Sequence, residues 1–256
     1  MGKALITGAS AGLGREFART LAAEGNDVVL VARNEARLAE LAEQLKHEFG
    51  VDAQVLAADL SVEADIARVA SRLSDDADPV TLLVNNAGFG VGQDFIGGRV
   101  EREIEALNVM VRAVLELSHA AANAMVARGR GGILNIASMT SLTAQGTYSA
   151  HKAWVSTFTE GLAAELSGSG VHVTVSNPGL IRTEFHERSE VDASQWPDVV
   201  FAQPEQIVKE SLNALRAGKV IVTPTPLYKA AAAALRIMPR RLVRKVAGPG
   251  LSGRDG

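Results

Sequence analysis

The sequence predicts a single α/β domain, a doubly wound sheet of seven parallel strands flanked by helices, with a helical extension at the C-terminus. Three observations carry the prediction. Short apolar runs alternate with longer amphipathic segments along most of the chain. The apolar runs are continuous in Val, Leu and Ile, as in strands buried on both faces. A glycine-rich turn, "TGASAGLG" at 7–14, leaves the first apolar run and opens the first amphipathic segment. Strand and helix in alternation imply right-handed crossovers. The sheet is then parallel and Rossmann-type, with its ligand crevice beyond the carboxyl ends of the strands.

In chain order, "KALIT" at 3–7 is the first strand, and a helix over about 12–24 follows the glycine turn. "DVVLVA" at 27–32 leads into "NEARLAELAEQLKHEF", whose apolar residues recur with the helical period over 34–48. "AQVLAA" at 53–58 precedes a helix near 61–75, and "VTLLVN" at 80–85 precedes a long helix over 99–128. "GGILNIAS" at 131–138 is followed by a helix over 148–167. "VHVTVSN" at 171–177, a helix near 204–217 and "VIVT" at 220–223 complete the sheet. Residues 1–225 are read as the domain and 226–256 as an amphipathic, basic tail.

Composition narrows the chemistry. The 256 residues show no composition break, and 47% are hydrophobic, enough for a substantial core. A net charge of −3 leaves no whole-chain basic footprint for nucleic acid. The chain has no cysteine, so disulfides, thiolate metal sites and a cysteine nucleophile are excluded. The five histidines lie far apart without ligand spacing, and no metal site is read. The first strand starts at Lys3, with no room for a signal peptide before it, and no apolar run reaches the roughly 20 residues of a membrane span. A cytoplasmic location is the expectation.

"GTYSAHKAW" at 146–154 holds one of only two tyrosines, with Lys152 four positions after Tyr148. Four residues advance a helix by about 400°, so both side chains share one face. An ammonium beside a phenol favours the phenolate, but lowering a tyrosine by about 3 pH units needs roughly 4 kcal/mol. One lysine does not supply that alone; a cationic cofactor ring could add to it. The glycine turn offers a place for such a cofactor. Gly8 permits the tight turn, Gly12 a close approach to a pyrophosphate, and Gly14 close packing of helix on strand. The amides opening the helix then face the anion. The spacing is Gly-x-x-x-Gly-x-Gly, not the common Gly-x-Gly-x-x-Gly.

That turn, with "NNAG" at 85–88, "NIAS" at 135–138, "YSAHK" at 148–152 and "NPG" at 177–179, closely resembles the short-chain dehydrogenase/reductase family from Lys3 to about Val222. The resemblance implies carbonyl reduction or alcohol oxidation with a nicotinamide cofactor. Tyr148 then exchanges the proton with the substrate oxygen. Lys152 binds the nicotinamide ribose and lowers the tyrosine pKa. Ser138 hydrogen-bonds the substrate oxygen, and Asn108 holds a water in the proton relay. Gly8, Ser10, Ala11, Gly12, Leu13 and Gly14 form the phosphate turn by the same resemblance. Asp59 and Leu60 lie by the adenine. Asn86, Ala87, Gly88, Pro178, Gly179, Ile181 and Thr183 complete the cofactor pocket. One departure stands out: only ten positions separate Ser138 from Tyr148. The shortened "MTSLTAQG" loop leaves Ser141 as the alternative to Ser138.

The cofactor is read as NADP(H). Where an NAD site carries an acidic residue at the end of the second strand, this chain has Ala32 followed by Arg33. A guanidinium there suits a 2′-phosphate, with Ser10 and Asn34 as secondary contacts. By the resemblance, residues of about 184–203 sit where the family carries its substrate lid, and Phe185, Trp196 and Phe201 there either line an apolar substrate pocket or anchor the loop. Leu227, Ala231, Leu235, Met238 and Leu242 form the tail's apolar stripe; Arg236, Arg240, Arg241, Arg244 and Lys245 make it basic; and Pro239 kinks it or starts a second helix. The expected protein is an NADPH-dependent reductase of a small or lipid-like ketone, with a small-molecule carbonyl or alcohol as partner, and a homodimer or homotetramer. The tail either packs on the body or at a subunit contact, or anchors peripherally on an anionic membrane. The rival class is a catalytically idle NADP-binding protein on the same fold.

Overall fold

The computed structural model describes residues 2–181 and 200–248. Seven strands form one parallel sheet: β1 (Lys3–Thr7), β2 (Asp27–Ala32), β3 (Ala53–Ala57), β4 (Leu82–Asn85), β5 (Gly131–Ile136), β6 (Val171–Ser176) and β7 (Ile221–Val222). Their spatial order is β3-β2-β1-β4-β5-β6-β7. The order reverses between β1 and β4, which opens a crevice at their carboxyl ends. β7 is shorter than the expected "VIVT" because it is an edge strand, paired only through Val175 and Ser176 of β6.

The helices are α1 (Gly12–Ala23), α2 (Glu35–Phe49), α3 (Glu63–Leu73), α4 (Val100–Leu107), α5 (Ala113–Ala127), α6 (Thr147–Glu165), α7 (Pro204–Arg216), α8 (Pro226–Ile237) and α9 (Arg240–Val246). The single helix expected over 99–128 is α4 and α5 joined by a π-helical turn at Asn108–Arg112. Half of the most apolar window of this run is buried, as in a core helix.

Successive strand residues point to opposite faces, and each face has its own core. Leu5, Val29, Leu83 and Ile133 pack with Ile66 of α3 and Leu117 of α5. Ile6, Leu30, Val84 and Leu134 pack with Phe17 of α1, Leu38 and Leu45 of α2 and Leu212 of α7. Each fully buried side chain of this size contributes roughly 1.5–3 kcal/mol.

A polar chain crosses this apolar interior. Asn85 and Asn135 are register partners on β4 and β5, and Asn85 Nδ2 donates to Asn135 Oδ1 at 2.9 Å and to Ser118 Oγ at 3.1 Å. Asn135 Nδ2 donates to Thr159 Oγ1 at 2.9 Å, and that hydroxyl donates to the Val155 carbonyl at 2.7 Å. These bonds tie β4, β5, α5 and α6 together beneath the crevice. An unpaired member would cost about 1–3 kcal/mol, so the network specifies one packing.

The tail folds back on the domain. Pro239 starts a second helix: its carbonyl accepts from the Leu242 and Val243 amides. Ala232, Val243 and Ala247 are buried, whereas Leu227 and Leu242 are exposed. The apolar stripe read from sequence therefore splits, because the break at Met238–Pro239 resets the helical phase. α9 closes on the 139–146 loop: the Ala144 amide donates to the Ala247 carbonyl at 3.0 Å, and Arg240 Nη1 donates to the Leu142 carbonyl at 3.1 Å.

Candidate active site

The crevice floor is the turn between β1 and α1. Gly8 (φ 67°) and Gly12 (φ 53°) adopt the left-handed region that favours glycine. A Cβ on Gly14 would run into the Gly8 carbonyl and the Asn86 side chain, so strand, turn and helix approach this closely only with glycine there. Ala11 caps α1 without a side-chain hydrogen bond, and the first turn holds no acid. The amides at this helix start thus lack a side-chain competitor. The cradle fits a dinucleotide pyrophosphate.

The end of β4 is stitched to β1. Thr7 Oγ1 accepts from the Asn86 and Ala87 amides at 2.9 and 3.0 Å, and Asn86 Nδ2 donates to the Thr7 carbonyl at 2.9 Å. The Asn86 side chain therefore builds the crevice wall rather than facing into it. Next to it, a Cβ on Gly88 would lie 3.3 Å from Lys152 Nζ, so glycine leaves the lysine its space.

Ser138, Tyr148 and Lys152 come together where β5 ends and α6 begins. The shortened loop folds as a 3₁₀ turn at Met139–Leu142, capped by Ser138 Oγ, which accepts from the Thr140 amide at 3.1 Å. The Ser138 hydroxyl is hydrogen-bonded to the Tyr148 oxygen. Ser141 turns away and donates to Asn177 Oδ1 at 3.2 Å. Gly146 (φ 84°) brings the chain into α6. Lys152 Nζ donates to the Ile136 carbonyl at 2.8 Å and lies 5.7 Å from the Tyr148 ring centroid.

Electrostatics departs from the sequence expectation here. Burial pushes the Tyr148 phenol well above its ordinary value, and the Ser138 hydrogen bond only partly opposes it. Burial lowers Lys152 to about 8. The ammonium does not bring the phenol toward neutrality because Lys152 is aimed at the Ile136 carbonyl and is itself desolvated. Beside it His151 is buried with Nδ1 unpartnered among the described residues, and burial lowers its pKa despite Glu103.

The remaining predicted residues divide. Asn108 opens the π-helical turn and its amide donates to the Ser61 carbonyl at 3.1 Å. Asp59 Oδ1 accepts from the Ser61 amide and hydroxyl at 2.9 and 2.8 Å, which closes the turn into α3, and the Leu60 side chain is in the core. Asn34 caps α2, its Oδ1 accepting from the Arg37 amide at 3.0 Å. Arg33 is exposed and lies 3.7 Å from Glu105. The Pro178 carbonyl accepts from the Met139 amide at 2.9 Å, and Ile181 bridges to Ala202. Thr183, Phe185 and Trp196 lie outside the described residues; Phe201 is half-buried.

Two contributions were missed in the sequence. Ser10 lines a cleft with Arg15, Arg37, Glu40 and Gln44, so two more guanidinium groups, and one carboxylate, stand beside the glycine turn. Arg37, four positions beyond Arg33 and in the first turn of α2, was the available signal. Tyr228 of α8 packs its ring against Gly179, accepts from the Leu180 amide at 3.0 Å and donates to the Val200 carbonyl at 2.7 Å. The scarcity of tyrosine was the hint there.

Comparison with known proteins agrees with this fold. Residues 2–193 match the family model described as short chain dehydrogenase. An uncharacterized oxidoreductase of Staphylococcus epidermidis is 32% identical over 216 residues, 80% of this chain and 92% of that protein. A short-chain dehydrogenase from Sphingobium yanoikuyae, solved in complex with NADPH, is 32% identical with a TM-score of 0.84, covering 93% of this chain and 96% of that one. The bulky-bulky ketone specific alcohol dehydrogenase from Comamonas testosteroni is 27% identical with a TM-score of 0.79, covering 94% and 96%.

Proposed function

The chain belongs to the short-chain dehydrogenase family, and on that premise we propose that it is an NADP(H)-dependent reductase of ketones, with Tyr148 as its proton donor. The observation that carries the reading is the Ser138–Tyr148–Lys152 cluster beside the glycine cradle. A nicotinamide bound there supplies the hydride. The chain's own groups then serve the carbonyl oxygen. Tyr148, kept protonated by burial, gives its proton to the developing alkoxide. Ser138, already bonded to the phenol oxygen, donates to the same developing charge. Lys152 places a positive charge against this corner and is positioned for ribose hydroxyls.

Arg33, just after β2, and the cleft of Ser10, Arg15 and Arg37, which Glu40 also lines, support a 2′-phosphate, and the Sphingobium relative was solved with NADPH. A bulky ketone is the substrate class favoured by the Comamonas relative. Small molecules are thus the partners. Exposed Val100, Ile104, Leu107 and Leu115 on α4 and α5 support assembly as a homodimer or homotetramer, readable by light scattering. The idle-binder reading loses its support, because the shortened loop still brings Ser138 to Tyr148. The test is NADPH and NADH consumption over a panel of small ketones, bulky ketones and ketoacyl thioesters. No turnover of any carbonyl, with NADPH binding intact, would overturn the reductase reading.

A further inference from the structure

Charge is divided unevenly along the chain. Residues 226–256 carry seven Lys and Arg against one Asp, a net +6, so the other 225 residues carry −9. Five of those cations, Arg236, Arg240, Arg241, Arg244 and Lys245, fall within ten positions at the end of α8 and along α9. All five are exposed, and none forms an ion pair with an acid among the described residues. Several exposed arginines elsewhere have acidic partners within 4 Å: Arg33 with Glu105, Arg68 with Asp65, Arg99 with Glu101.

Apolar side chains stand in the same surface. Ile237, 87% exposed, ends α8, and Leu242 and Val246 lie one turn apart on α9, both exposed. At 100° per residue, Val243 and Ala247 face the domain. Leu242 and Val246 fall on one flank of that buried face, with Arg241 and Lys245 next to them, farther from the domain. An apolar strip edged by long cations suits the boundary of a bilayer, where the stems lie along lipid and the charges reach the headgroups. A net −9 body is repelled by an anionic surface, which leaves this face as the one that can approach.

We propose that α9 and the end of α8 dock the protein on an anionic lipid bilayer. The same helix closes the loop between Ser138 and Tyr148, through Ala247 on Ala144 and Arg240 on Leu142, so docking holds the catalytic corner close to the membrane. The acidic body of a second copy is the competing occupant of this face.

The test is co-sedimentation of the full chain with phosphatidylcholine vesicles, with and without about a third phosphatidylglycerol. The protein should sediment with the anionic vesicles, not with phosphatidylcholine alone, and about 0.5 M salt should release it. Arg241→Glu with Lys245→Glu should weaken partition at least tenfold while turnover of a soluble ketone stays at the wild-type level. Should the double reversal disturb folding, Arg241→Gln with Lys245→Gln must still weaken binding. Failure of the full chain to sediment with anionic vesicles in low salt overturns the proposal. So does partition that both pairs leave unchanged. A loss of self-association in the variants, without vesicle binding by the parent, assigns the face to a second copy. None of these outcomes bears on the reductase reading, which the turnover assay measures separately.

Discussion

Two cations mark the two ends of the crevice, and they live in different solvents. Lys152 is buried at 4% exposure, bonded to the Ile136 carbonyl, with its pKa brought down to about 8. Arg33 has a side chain 66% exposed and only a 3.7 Å approach to Glu105. Water screens the second and not the first. The buried end can therefore do chemistry, because small displacements of charge there are felt strongly. The exposed end can select between cofactors by charge but contributes little to the fold. Changes at the buried corner should accordingly be large and act on kcat. Changes at the rim should be modest, act on cofactor choice and fade in salt.

The largest expected effect is at the phenol. Tyr148→Phe should lower kcat by between about 10² and 10⁴, with cofactor affinity nearly unchanged. Steady-state kinetics on any accepted ketone decides it, and a fully active variant would remove Tyr148 from the mechanism. Ser138→Ala should follow at roughly 3 kcal/mol, the value of one donor to a developing oxyanion. Ser141→Ala is its control and should change kcat less than about threefold, since its hydroxyl serves Asn177. Equal losses at the two serines would show that the loop rearranges with substrate bound.

Lys152 can be tested through stability as well as rate. Its folded pKa is about 8, against an ordinary lysine value of 10.5. Between those values the unfolded chain holds a proton that the folded chain does not, so raising the pH favours the folded state. The destabilisation is fully present below pH 8 and disappears toward pH 10.5. Lys152→Met carries no such dependence. The melting temperature of the cofactor-free parent should therefore rise relative to that of the variant as pH goes from 8 to 10. A difference that stays flat over this range would place the lysine in contact with water.

The smallest expected effect is at the rim. The parent should bind NADPH at least about tenfold more tightly than NADH, roughly 1.4 kcal/mol. Arg33→Asp should shrink or invert the ratio while kcat at saturating cofactor is kept. Titration at two salt concentrations checks it. Equal affinities in the parent, at low salt, would sink the 2′-phosphate reading and leave the buried corner untouched.

The sequence by itself determined whatever depends on neighbours along the chain. The seven strands were legible as unbroken Val, Leu and Ile runs, and α2 as a helical stripe. The glycine turn was legible because positive φ and the lack of a Cβ are properties of the residue itself. The Tyr148–Lys152 face followed from helical spacing alone. What remained needed distances through space. The choice of Ser138 over Ser141 turns on how a short loop folds against Asn177. The bond between Asn85 and Asn135 turns on strand order and register. Tyr228 reaches Leu180 across 48 positions of chain, which no local period encodes. The raised phenol and the lowered ammonium are decided by burial, because desolvation depends on every element packed around a group and not on those adjacent in sequence.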